Sequence, residues 1–136
     1  TFNPRESIDF NGNTAPFIQY TYARIQSVKA KADEKRIFYS KLSDSLTIDY
    51  KEVQLIKLIK SFPEIIAESA ETLNPAIVAN YIYELVKLYN TFYQSVKIII
   101  EPDAQLKQMR LSLSALVQQT IAHGLNMLGI EAPQRM

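Results

Sequence analysis

An all-α bundle is what this 136-residue sequence predicts, and three observations carry the prediction. Leucine, isoleucine, lysine and alanine recur at helical spacing along most of the chain. Only 3 glycines occur, which fits a mostly helical chain. Helix start and stop signals, built from Asp, Asn, Pro and Gly, divide the periodic stretches into about five helices, with no convincing strand between them.

Thr1 to Ile8 reads as a polar entry segment, followed by Asn11-Gly12-Asn13, residues that tolerate turn and left-handed backbone. Thr14 is placed as an N-cap and Pro16 just inside the helix, where its missing N–H costs nothing. The first helix runs from about Ala15 to Ala32, and Arg36 to Tyr39 continues it as helix or frayed end. Ser, Asp and Thr crowd Ser40 to Ile48, a loop. Asp49 caps the second helix, and Glu52 three residues on completes a capping-box pair. Val53, Leu55, Ile56 and Ile59 form its stripe.

Ser61-Phe62-Pro63 ends that helix, and Pro63 opens a short third one with Ile65, Ile66 and Ala70 inward. Asn74-Pro75 repeats the start signal for a fourth, about Pro75 to Val96, apolar over the broad arc expected of a central helix. Its rows are Ile77, Tyr81, Leu85, Leu88, Phe92 and Val96, with Val78, Ile82 and Tyr89 beside them. Glu101-Pro102-Asp103 breaks the chain and caps a fifth helix reaching about Leu128. Leu106, Met109, Leu113, Leu116, Thr120 and Met127 form its inner stripe, joined by Val117, Ile121 and Leu125. Gly129 is its left-handed stop, and Pro133 prevents resumption. The chain carries no repeat and reads as a single domain, residues 1–136.

Hydrophobic residues at 47% and charged residues at 21% are ordinary for a globular domain of this size. No apolar run approaches the roughly 18 residues that span a bilayer, so no membrane partner is expected. Cysteine is absent, which excludes disulfides and thiolate chemistry and fits a reducing, cytoplasmic setting. His123 is the lone imidazole, and a single histidine with dispersed carboxylates makes neither a general-base dyad nor a metal site. Phosphate-cradling glycine motifs are missing. No catalytic residue and no metal or cofactor site is expected in this chain.

The charge of +1 argues against binding driven by phosphates alone, yet it is unevenly placed. From Arg24 to Lys41 there are six basic residues against two acidic ones, read either as a basic face or as a solvated helix end. At about 100° per residue, Ile18, Tyr22 and Ile25 share a core-facing row of the first helix. Tyr20, Arg24, Ser27 and Lys31 share another. That second row of ring, guanidinium, hydroxyl and ammonium suits unstacked single-stranded nucleic acid. The chain has 8 tyrosines, and those at helical spacing are ordinarily core with the hydroxyl at the rim, as expected for Tyr22, Tyr39, Tyr81, Tyr83 and Tyr89.

The stretch Phe10-Asn-Gly-Asn-Thr-Ala-Pro-Phe-Ile-Gln-Tyr-Thr-Tyr-Ala-Arg24 resembles the start of the C-terminal, DALR-type anticodon-binding domain of arginyl-tRNA synthetases, of the class I aminoacyl-tRNA synthetases. Arg110-Leu-Ser-Leu-Ser-Ala115, Gly124-Leu-Asn-Met-Leu-Gly-Ile130 and the Pro133-Gln-Arg-Met136 ending resemble the same family, as do Tyr81-Ile-Tyr-Glu-Leu85 and Asn90-Thr-Phe-Tyr93. Residues from about Asp33 to Asn74 carry no matching motif. The resemblance implies a class Ia-type helical bundle that follows a catalytic domain in one parent chain, with residues 1–8 as the linker and Thr1 lying inside a longer protein. It implies a tRNA(Arg) anticodon stem-loop as partner, and ATP and Mg as cofactors of the parent enzyme. The class I catalytic signatures are missing from the chain itself, so it forms no adenylate alone.

All arginine anticodons share a central cytosine. Asn11, Gly12, Asn13 and Thr14 are the candidates to read it, with Phe17 and Tyr20 supporting or stacking and Arg24 on phosphate or a base edge. Lys31 adds a cation. The resemblance brings Tyr93 and Lys97 to the same side, and places Met136 with Arg135 against the loop-binding face. Two other readings stay open: a helical protein-interaction module, and the anticodon-binding domain of another class I synthetase.

Overall fold

The computed structural model describes residues 15–37 and 41–135, and every regular element among them is helical. These are α1 (Ala15–Glu34), α2 (Tyr50–Lys60), α3 (Phe62–Glu71), α4 (Ala76–Ser95) and α5 (Ala104–Met127). Ser61 closes α2 and opens α3, and Pro63 removes the backbone donor there. Taken together as one interrupted arm, they leave four helical members among the described residues rather than five separate ones.

The starts follow local chemistry. Asp49 accepts from the Lys51 amide at 2.7 Å while Glu52 accepts from the Asp49 amide at 2.7 Å, completing the capping box. Asp103 accepts from the amides of Gln105 and Leu106. The Asn74 side chain accepts from the Ala76 amide at 3.1 Å. Three helices end alike: α1 at Arg36, α3 at Leu73 and α5 at Gly129, each with positive φ. In each the next amide reaches back five residues, as Ile37 to Ala32, Asn74 to Ser69 and Ile130 to Leu125. This is the Schellman stop, made once by glycine and twice by residues that occupy left-handed backbone at a cost.

α4 is the central helix, touching α1, α2, α3 and α5. It buries Val78, Tyr81, Ile82, Leu85, Val86, Tyr89 and Phe92 against Ile18, Ile25 and Val28 of α1, Leu55 of α2, and Val117, Ile121 and Leu125 of α5. Gly124 sits where a β-carbon would lie 2.0 Å from the Ile82 Cδ1 atom, so α5 approaches α4 closely at that point. The loop after α1 is not fully solvated, since Leu42, Leu46 and Ile48 pack on the core.

Expectation and structure differ at the rims. Leu116 and Met127, expected on the inner stripe of α5, are 49% and 50% exposed. Ala70 is exposed, while Ile65 packs on the core. Tyr89 is fully buried rather than at the rim, its hydroxyl donating to Ser114 Oγ at 3.0 Å. Tyr39 lies outside the described residues. No helix among the described residues is long and apolar enough to cross a membrane.

Burial pushes the Tyr89 phenol up from 10.0 to about 12. A group with a raised folded-state pKa stabilises fully below its unfolded pKa and loses that contribution as pH climbs through the folded one. Unfolding free energy is therefore expected to fall by roughly 2–3 kcal/mol from this group between about pH 10 and 12. Denaturant titrations across that window measure it, and Tyr89→Phe flattens the decline. Tyr81, whose hydroxyl donates to the Leu58 carbonyl at 2.6 Å, is raised in the same direction by burial.

Candidate nucleic-acid interface

A concavity of about 730 Å³ opens between α1, the end of α4, the segment following it and the C-terminal tail. α1 contributes Tyr20, Arg24, Ser27 and Lys31, the row predicted from helical spacing. Lys35 extends that row. Tyr93 and Lys97 enter from α4 and its exit, and Arg135 from the tail, as the resemblance implied. Val96, Ile98, Ile99 and Ile100 make an apolar wall. Five cations and two tyrosines line the space, and none of the described lining residues is acidic.

Arg24 organises the centre. Its guanidinium carbon lies 4.8 Å from the Tyr20 ring centroid and 5.0 Å from that of Tyr93. Its Nη2 donates to the Tyr20 hydroxyl at 3.2 Å. Its Nη1 donates to Asn90 Oδ1 on α4. Tyr20 is 44% exposed, so its side chain is reachable from solvent. Tyr93 is half-buried, its ring 6.3 Å from that of Tyr89 below it.

The wall after α4 is tied down from beneath by a buried ion cluster. Arg110 Nε donates to Glu52 Oε1 at 2.7 Å, and its Nη1 donates to Glu101 Oε2 at 2.7 Å and to the Lys97 carbonyl at 3.3 Å. Glu52 is fully buried. The capping-box residue of α2 thus also neutralises the arginine that fastens the Lys97–Glu101 segment.

Phe17 is a partly buried residue of α1. It packs on the core with its ring 5.9 Å from that of Tyr83 and does not line the concavity. Asn11, Gly12, Asn13, Thr14 and Met136 lie outside the described residues. Asn90 and Arg110 open two of the stretches that resemble the family, but the sequence assigns neither a role, and the isoleucine wall carries no sequence signal. Lys35 continues the Tyr20-Arg24-Ser27-Lys31 spacing and was findable from it.

An open hollow of tyrosines and cations on a helical bundle, with no acidic residue among its described lining, defines a module shaped for an anionic, ring-bearing ligand. Residues 18–136 match the family described as the DALR anticodon binding domain, and the chain belongs to that family. Arginine–tRNA ligases from Parabacteroides distasonis and Flavobacterium psychrophilum are 53% and 50% identical to it over 137 and 135 residues. Those alignments cover 100% and 99% of this chain but 23% and 22% of the relatives, so the chain spans under a quarter of their length. Among solved structures, Thermus thermophilus arginyl-tRNA synthetase superposes with a TM-score of 0.86 at 31% identity, covering 99% of this chain and 23% of that one. The Plasmodium falciparum arginyl-tRNA synthetase has the same fold, with a TM-score of 0.78 at 23% identity over 99% of this chain and 23% of that one.

Proposed function

We propose that this chain is the anticodon-reading domain of a cytoplasmic arginine–tRNA ligase, holding the anticodon stem-loop of tRNA(Arg). The observation that carries the reading is the convergence of Tyr20, Arg24 and Tyr93 in one cation-lined hollow. Hairpin-loop bases pulled from their stack offer π-faces and Watson–Crick edges, which aromatic rings and guanidinium planes receive. Lys31, Lys35, Lys97 and Arg135 supply phosphate contacts, local charge that a net +1 conceals. We assign reading of the shared central cytosine to Asn11, Gly12, Asn13 and Thr14, and a supporting contact to Met136. The catalytic domain of the same parent chain, with ATP and Mg, carries out arginine attachment.

NMR shift mapping with an arginine anticodon hairpin tests the site. The expected result is that Tyr20, Arg24, Tyr93 and Lys97 respond while His123, exposed on α5, stays still. Shifts confined to α5 or α3 contradict it.

A further inference from the structure

We propose that Asn90 is a positioning residue, which locks the Arg24 guanidinium in place against the two tyrosines before RNA arrives. The proposal rests on the RNA-binding reading above. Asn90 is a buried polar side chain in the C-terminal half of α4, where an unsatisfied amide would be costly. Its polar atoms are all engaged. Nδ2 donates to Thr21 Oγ1 at 2.8 Å and to the Val86 carbonyl at 3.0 Å, and Oδ1 accepts from Arg24 Nη1.

The amide can face only one way. The Thr21 hydroxyl donates to the Phe17 carbonyl at 3.1 Å, so its oxygen is left to accept, and the Val86 carbonyl can only accept. Both partners require the NH2 group, which turns the carbonyl oxygen toward Arg24. Helix α1 therefore fixes Asn90 through Thr21, and Asn90 fixes Arg24, one turn further along α1. The guanidinium is left resting against Tyr20 and Tyr93 at 4.8 and 5.0 Å. A long side chain immobilised beforehand loses less freedom on binding, and preorganised contacts gain affinity on that account.

The test is a double-substitution cycle on hairpin affinity with the 136-residue chain, using Asn90→Ala, Arg24→Ala and both together. Asn90→Ala alone is expected to weaken binding on the order of tenfold. In the Arg24→Ala background it is expected to do nothing further, because a residue acting through Arg24 has no other route to the RNA. An equal loss in both backgrounds makes Asn90 a general structural residue and overturns the proposal while leaving the RNA-binding reading intact. Failure of the unsubstituted chain to bind the hairpin at low salt overturns that reading, and the proposal with it. NMR of the unsubstituted, RNA-free chain gives a readout independent of folding defects in the variants. Restricted rotation of the Arg24 guanidinium supports the proposal, and free rotation overturns it.

Discussion

Arg110→Ala is expected to lower unfolding free energy by about 3–5 kcal/mol, the loss typical of breaking a buried ion pair from one side. The Glu52 carboxylate is fully buried with Arg110 Nε 2.7 Å away, and its other oxygen is committed to the Asp49 amide. Removing the guanidinium leaves an uncompensated charge in the core, beyond any packing lost. The melting temperature is expected to drop by roughly 10–20 °C. Hairpin affinity should fall with it, because Arg110 also anchors the Lys97 carbonyl and Glu101, between which lies the apolar wall of the hollow. A loss under about 1 kcal/mol, the range of a surface pair, would contradict this account.

Tyr20→Ala is expected to have the opposite profile. A stacked base is worth about 1–3 kcal/mol by alanine substitution, so hairpin binding should weaken about 5- to 150-fold. Stability should stay within about 0.5 kcal/mol, since Tyr20 is largely on the surface and outside the core cluster. Phe17→Ala is the contrasting case on the same helix. Its ring packs on the core beside Tyr83, so stability rather than RNA affinity should carry the loss. Titration of both variants, with melts run alongside, separates the two roles. A Tyr20 variant that unfolds early and binds normally would assign that ring to the fold.

What could be read from the sequence was local. Asp49 with Glu52, Asp103 and Gly129 announce helix ends because their own side chain, or its lack, does the capping. The stops at Arg36 and Leu73 were illegible, since nothing about either residue favours left-handed backbone. The Tyr20-Arg24-Ser27-Lys31 face was legible from helical spacing alone. Leu116 and Met127 lie exposed because apolar character marks which residues can be buried, while α1, α2 and α4 decide how much of α5 they cover. The deeper parts of the site depend on partners far apart in the chain. Arg24 meets Asn90 across 66 positions and Arg110 meets Glu52 across 58. Periodicity carries no such pairing information, so the sequence places Asn90 and Arg110 in family-resembling stretches but assigns them no partner and no role.

The most direct test is equilibrium titration of the chain with an arginine anticodon hairpin and with its counterpart altered only at the central cytosine, at about 50 and 200 mM salt. Tighter binding of the cytosine hairpin at both salts is predicted, with affinity for both falling as salt rises because the hollow's cations release counterions. Equal affinity for the two hairpins, or none for either at the lower salt, would contradict an anticodon-reading role.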